Sequence, residues 1–598
     1  MRTAALLFPA AQWGRLNDHG AEIIENVGKS GRSMSSLTFT TSPHRPRFPR
    51  LAIENWLFWI IVAVLTAAIL YPASMSVYAA FVDKGHFTLG GFERIFSSRT
   101  VGREILTTLV FAGGSTLGAG IIGIYLAWAV ARTDVPGRRF LEAFCVVPLF
   151  MSAFVGAIAW RLLLVPRAGM ITRVLTDWGV PAAFIPNVYS LTSMCVIQAI
   201  FYSPFIYLYA VASFRQMDPS LEEIARIHGA SSWQTLLRVT LAINGPALLS
   251  GMVLVFVFSI GTLEIPMALG VAGGNYVLST RIWQLLNDYP QDIPMAAALG
   301  LITIALAGAG IWLQRWILGN RQFTTVTGKG YRTRRVALGK WRWPVFGLAF
   351  AYVLVAVILP IIVLLLVGLQ KYWGGAFRIE QFTLDNFHSI LFEYDVTRRA
   401  ILNSLIACSA AATISVALAV ILTQSATPRG DAFLGLLVLL PIAIPGAVFG
   451  MMVLLTYIRT PIYNTLYIII LAYVVGYFYL AYRTIHSVRI SIHRDLEQSA
   501  RIHGASWWQA TSRILLPLLK PGIFSAWLMS FVIFVREFSS VMFLYTNGTE
   551  VMSVVFFLLM ERHSARLAAL MIVQTVLLLA VMVIYQRINA RSETGVSV

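Results

Sequence analysis

The chain has 598 residues, of which 58% are hydrophobic and only 12% charged. Soluble domains run near 45–50% apolar and about 25% charged, so this composition excludes a soluble globular, a disordered and a fibrous protein. The remaining charge is lopsided, 46 Lys and Arg against 27 Asp and Glu, which in a membrane protein points to basic cytoplasmic loops and needs no nucleic-acid partner.

A bilayer core takes about 20 apolar residues per helix. In chain order the stretches that qualify are 56–80, 104–131, 141–164, 189–213, 245–270 and 295–318. After a polar, basic interval come 344–369, 400–423, 433–457, 463–483, 521–545 and 567–586. The first stretch is too long and too far along the chain for a cleaved signal peptide. The residues before it read as a basic tail, with Met34 the expected natural start. Arg45, Arg47, Arg50, Arg132, Arg138, Arg139 and the cluster Arg321, Lys329, Arg332, Arg334, Arg335, Lys340 and Arg342 fall on one side. Both termini are therefore expected in the cytoplasm. Cys145, Cys195 and Cys408 have no metal or disulfide spacing.

The two groups of six are related. Residues 221–234 read LEEIARIHGASSWQ and residues 496–509 read LEQSARIHGASWWQ, identical at eleven of fourteen positions with an offset of 275. The same offset pairs Arg238 with Arg513, Leu241 with Leu516 and Pro246 with Pro521. Each copy follows the fourth stretch of its group, on the expected inner face. The sequence thus predicts an all-α polytopic membrane protein with about twelve transmembrane helices in two homologous six-helix halves. Its parts are a cytoplasmic tail at 1–50, a first domain at 51–318, a basic cytoplasmic linker at 319–342 and a second domain at 343–598.

Each copy predicts a short helix, a glycine turn and a second helix. Asp218 can cap the first helix, Pro219 is tolerated in its first turn, and Gly229 or Gly504 suits a left-handed stop. His228 and His503, on the inner face, fit a capping or packing role. An interfacial helix that only padded the headgroups would carry mostly Lys and Arg on its polar face. Glu222, Glu223 and Glu497 stand here instead, so the hairpin reads as a docking feature for a cytosolic partner.

These residues resemble the EAA loop of permease subunits in binding-protein-dependent ABC importers. That pattern is roughly E-A-A, three residues, Gly, and a stretch ending in I-x-L-P. Here Glu223-Ile224-Ala225 precedes Gly229, and Gln498-Ser499-Ala500 precedes Gly504. The middle alanine is replaced in both copies and the glutamate in the second, where Glu497 is the candidate carboxylate. The closing L-P is Leu516-Pro517 in the second copy and Leu241-Ala242 in the first. The fused two-domain form looks like the iron(III)-type permeases, whose relatives carry thiamine or 2-aminoethylphosphonate. The resemblance implies a bacterial inner-membrane location and delivery of substrate by a periplasmic binding protein. It also implies that Glu222, Glu223, Ala225, Gly229, Glu497, Ala500 and Gly504 lie on loops docked to two cytosolic ATP-binding subunits. No cofactor, metal or catalytic residue is implied.

No G-x-x-x-x-G-K-[ST] occurs, Phe323 standing where the first glycine before Gly328-Lys329 is needed. ATP hydrolysis is therefore expected on separate chains. Charges inside spans are functional candidates by default. Glu264 and the pair Arg536-Glu537 fall in the fifth stretch of each half, the two glutamates at an offset of 273. They read either as part of the pathway or a gate, or as an Arg536–Glu537 ion pair that fixes packing. Tyr202, Tyr207 and Tyr209 read as ordinary core contacts. Gly114-xxx-Gly118 fits close helix packing, and Pro148, Pro204, Pro441 and Pro445 would break or kink helices. The function expected is a permease for a small polar solute, iron(III) first, with 2-aminoethylphosphonate or thiamine as alternatives. A twelve-helix secondary transporter is the alternative of another class, and it leaves the duplicated loop unexplained.

Overall fold

The computed structural model describes residues 52–218, 220–318, 336–425 and 428–593. The tail with Met34, most of the linker with Arg321, Lys329, Arg332, Arg334 and Arg335, and Pro219 lie outside these. In the first half, Phe58–Phe81, Arg99–Arg132, Leu191–Gln216, Leu236–Gly261 and Ile293–Leu318 are long and apolar enough to cross a bilayer. In the second half, Gly339–Gly368, Asp395–Gln424, Leu466–Ser491, Trp508–Arg536 and Ser564–Arg587 are.

The stretches expected at 141–164 and 433–457 are not straight spans. Arg138–Leu149 meets Ala153–Leu164 at 97°, and Phe433–Ala443 meets Gly446–Tyr457 at 99°. Proline supplies no N–H and disfavours helical backbone in the residue before it. Pro148 and Pro441 sit at matching places before the two bends, and Ile444 is extended just ahead of Pro445. With each bent pair counted as one element there are twelve, six per half, numbered 1 to 12 below. Pro204, by contrast, sits inside an unbroken helix.

The repeat seen in sequence holds in the helices. Span 4 (Leu191–Gln216) and span 10 (Leu466–Ser491) keep the 275-residue offset at both ends. So do the main helices of span 5 (Leu241–Gly261) and span 11 (Leu516–Arg536). At the bent elements the offset is 293, from Ala153 to Gly446. The first half therefore carries 18 more residues between elements 3 and 4, including the helix Met170–Asp177. Spans 5 and 11 also end sooner than the expected 270 and 545. Thr262 and Glu537 turn extended, at ψ 138° and 129°.

Small residues set the helix spacing. A Cβ on Gly118 of span 2 would lie 2.8 Å from the Ala199 Cβ of span 4, and one on Gly123 would lie 2.7 Å from the Ser203 carbonyl. Lipid gives no hydrophobic drive for helix association, so such close backbone packing supplies it. The first span of each half also reaches the other half. Trp59 of span 1 packs on Phe433 with ring centroids 6.4 Å apart. On span 7, Tyr352 accepts a hydrogen bond of 3.1 Å from Ser203. The halves are thereby interleaved rather than merely apposed.

Candidate functional site: two hairpins and a crossed interface

The duplicated motif folds into the same hairpin twice. Asp218 Oδ1 accepts from the Ser220 N–H at 2.9 Å and caps the helix Ser220–Ile227. Gly229 and Gly504 take φ +82° and +86° with open space where a Cβ would be. The N–H of Ala230 then reaches the Ala225 carbonyl, and that of Ala505 the Ala500 carbonyl, each at 3.0 Å. This six-to-one bond is the glycine-terminated helix stop that releases the fewest unpaired carbonyls. His228 and His503 bind by Nδ1 to the Ile224 and Ser499 carbonyls at 2.8 Å, inside the same turn.

The restart is equally determined. Ser231 Oγ accepts from the Gln234 N–H at 3.3 Å while Gln234 Oε1 accepts from the Ser231 N–H at 2.9 Å. Ser506 and Gln509 repeat this reciprocal cap at 3.2 and 2.9 Å. Much of the eleven-residue identity is thus the stop and start chemistry of one hairpin.

The acidic residues divide into inner and outer positions. Glu222 does not face outward: it is buried against Arg132, the last residue of span 2. Arg132 Nη2 lies 2.6 Å from Glu222 Oε2 and Nε donates to Oε1 at 3.3 Å. Thr240 Oγ1 donates to the same carboxylate at 2.7 Å, and Arg132 Nη1 reaches the Phe214 carbonyl of span 4 at 3.4 Å. One guanidinium therefore joins spans 2 and 4, the hairpin helix and the start of span 5. In the second half Glu497 is held at 2.8 Å by Arg489 from the last turn of span 10. Arg489 is the positional equivalent of Phe214, so the cation comes from a different helix. Each of the two expected docking carboxylates is thus held by an arginine, Glu222 buried and Glu497 partly exposed. Glu223 is half-buried on the neighbouring face. The outward face carries an isoleucine in both copies, Ile227 at 81% exposed and its equivalent Ile502 at 71%, with Arg226 exposed beside it in the first.

The second site lies between the halves. Glu264 and Glu537 do not lie within their helices. Both follow the helix ends, and the shared offset of 275 pairs Glu264 with Ser539 and Thr262 with Glu537. The Arg536–Glu537 ion pair is not formed. Glu537 accepts from the N–H groups of Ser540 (2.8 Å) and Val541 (3.3 Å) and from the Tyr477 hydroxyl (3.3 Å). Arg536 instead donates to the Leu149 carbonyl at the bend of element 3. Gly261, the equivalent of Arg536, lies against Pro445 at the bend of element 9. Between these contacts the Leu263 N–H donates to Ser539 Oγ at 3.1 Å. The end of each fifth helix thus meets the bend of the opposite third element. Farther along, Arg161 binds Glu561 at 3.2 Å and Trp283 meets the Phe557 ring edge-on at 5.6 Å.

Nothing in the linear pattern marks Arg132 and Arg489 as clamp partners, and Tyr202 is a buried core residue against Phe205, as expected. The offset pairs Tyr202 with Tyr477. Among the described residues no three of His, Cys, Asp and Glu gather closely enough to hold a metal ion.

Comparison with known proteins agrees with this duplicated architecture. The permease FbpB 1 of Haemophilus influenzae is 25% identical over 513 residues, 83% of this chain and 78% of that protein. The ferric transport system permease protein FbpB of Actinobacillus pleuropneumoniae is 24% identical over 509 residues, 82% of this chain and 72% of that protein. A crystal structure of a bacterial ABC transporter importing the acidic polysaccharide alginate is similar at 21% identity and a TM-score of 0.38, covering 44% of this chain and 97% of that one. The model of the binding-protein-dependent transport system inner membrane component matches twice, at residues 119–321 and 415–595. With both halves matched, the chain belongs to that family of multi-pass inner-membrane permeases of ABC importers.

Proposed function

We propose that this permease carries ferric iron into the cytoplasm, driven by two separate ATP-binding subunits and supplied by a periplasmic binding protein. The observation that carries the substrate is the likeness, over four fifths of the chain, to a permease named for ferric transport. In this reading 51–318 and 343–598 are the two permease domains, joined by a cytoplasmic linker at 319–342 and preceded by a cytoplasmic tail at 1–50. Both termini lie inside, on the side of the basic loops.

The hairpins are the coupling elements. Each would seat in a groove of one ATP-binding subunit through its outward face, at Ile227 or Ile502, with Glu223 beside it in the first half. Ala225, Gly229, Ala500 and Gly504 shape the turn that presents this face. Glu222 and Glu497 act behind it: their arginine clamps tie the hairpin to the ends of spans 2, 4 and 10, so that a push on the hairpin moves whole helices. Closure of the ATP-binding subunits would then rock the halves about the crossed contacts at Leu149–Arg536 and Gly261–Pro445. Glu264, Arg536 and Glu537 lie at that gate.

Growth of a deletion strain tests the substrate. Loss of growth on limiting ferric iron, restored by the chain, is the expected result. Normal growth on limiting iron, with failure on limiting thiamine or on 2-aminoethylphosphonate, would replace iron by that solute.

A further inference from the structure

Glu264 is the one carboxylate at the crossed interface whose charge the structure leaves without a hydrogen bond. The residue is 7% exposed and its Oε2 has no hydrogen-bond partner. Its neighbour Glu537, 5% exposed, is by contrast capped by two backbone N–H groups and a tyrosine. A buried carboxylate without a hydrogen bond costs several kcal/mol, and inside a membrane protein such a group is a functional candidate by default.

The surroundings of Glu264 come from both halves. Glu537 and Arg536 are the charges that act on it. The Tyr477 hydroxyl donates to Glu537 at 3.3 Å. Tyr202, 8% exposed, lies one helical turn after Gln198, whose amide donates to Ser259 near the end of span 5 at 3.3 Å. Tyr202 and Tyr477 are repeat equivalents in spans 4 and 10, one in each half. The Leu263–Ser539 bond of 3.1 Å marks where the two chain segments cross. At the crossing stand Glu264, next to Leu263, and Glu537, two residues before Ser539 and bonded to Tyr477, with Tyr202 the repeat equivalent of Tyr477.

We propose that Glu264, Glu537, Tyr202 and Tyr477 form a transient site for a hard, multivalent cation where the two halves cross. Oxygen donors of this kind suit hard cations and disfavour soft ones. The charge balance also points to a cation. The Arg536 guanidinium, which donates to the Leu149 carbonyl, offsets only one of the two carboxylates, so an oxyanion entering here would meet a net negative charge. Four oxygen-bearing side chains on two moving halves bind weakly once the halves part, as conduction requires: strong enough to enter, weak enough to leave. Glu264 is the selecting group, because Glu537 is already committed to its cap. The proposal rests on the ferric reading above only for the identity of the ion.

The test separates the two. The permease, assembled with its ATP-binding subunits in lipid nanodiscs, is titrated with Tb3+, a hard trivalent ion whose luminescence is excited by nearby tyrosine. The expected result is a saturable signal, displaced by Ga3+, that Glu264→Gln weakens by about tenfold or more. Tyr202→Phe with Tyr477→Phe should lower the signal, and Glu264→Asp should keep much of the affinity. Equal Tb3+ binding by wild type and Glu264→Gln would overturn the site. Co-purification of each variant with the ATP-binding subunits guards against misfolding, and the Tyr202→Phe, Tyr477→Phe pair serves if Glu264→Gln does not assemble, undiminished Tb3+ binding by it overturning the site. Uptake of radiolabelled iron is measured on the same set. A Tb3+ site in wild type without ferric uptake would overturn the ferric reading and leave the cation site standing. Wild-type iron uptake by Glu264→Gln would overturn the role of the site in transport and leave the ferric reading intact.

Discussion

Gly261 lies so close to Pro445 that a Cβ built on it would fall 2.1 Å from the proline Cβ. The contact joins the end of span 5 in one half to the bend of element 9 in the other. Its repeat counterpart joins Arg536 to the Leu149 carbonyl. A pseudo-symmetric pair of contacts, one made by a missing side chain and the other by a long one, holds the halves together at the two bends.

Gly261→Ala should therefore force the bend of element 9 away from span 5. Overpacking of this kind costs about 1–3 kcal/mol. The expected readout is a lower thermal midpoint of the detergent-solubilised permease, with a smaller loss for Gly310→Ala, where the nearest atoms belong to a Phe256 ring that can turn. Equal losses at the two glycines would contradict the account of the interface.

The two clamps differ in burial, and so should the cost of breaking them. The Arg132 side chain is fully buried and that of Glu222 is 8% exposed, whereas Arg489 and Glu497 are 11% and 20% exposed. Arg132→Ala would strand a buried carboxylate, at about 3–5 kcal/mol. Arg489→Ala should cost about 1 kcal/mol, since water can reach its partner. Membrane abundance and thermal unfolding of the two variants check the order, and a larger loss for Arg489→Ala would refute it.

Gly229 and Gly504 need left-handed backbone and nothing else, because no atom crowds the position of a Cβ. Alanine at either should cost about 1–2 kcal/mol from conformation alone. Asparagine, which tolerates that region better, should recover part of the loss. The measurement is co-purification of the ATP-binding subunits with each variant; no difference between Ala and Asn would argue that the turn geometry does not govern docking.

Among the described residues, Ile227 and Ile502 are the exposed apolar pair common to both hairpins. Ile227→Arg with Ile502→Arg should leave the thermal midpoint of the isolated permease within about 0.5 kcal/mol of wild type, as surface changes do. The same pair should abolish association with the ATP-binding subunits. Retained association would place the docking surface elsewhere.

The parts legible in sequence were those governed by local rules. Apolar length gave the spans, and the 221–234 and 496–509 repeat gave the duplication, because the glycine stop and the Ser–Gln restart are written in adjacent residues. What eluded the sequence depends on contacts between distant residues. Prolines marked breaks near 148 and 441, yet nothing local says that a helix turns by nearly a right angle rather than kinking. Arg132 counted as one more positive loop residue, though it reaches 90 positions along the chain to Glu222. Glu264 and Glu537 looked like counterparts from their spacing of 273. The helix ends set the frame at 275, so one is a capping residue and the other an open carboxylate.

Coupled transport is the most direct test of ferric import by this permease. Proteoliposomes holding the permease with its ATP-binding subunits, given ATP on their side and ferric-loaded binding protein on the other, should accumulate radiolabelled iron. The Ile227→Arg and Ile502→Arg pair should stop it. Iron accumulation by the permease alone, without ATP-binding subunits or ATP, would make it a secondary transporter and contradict the account.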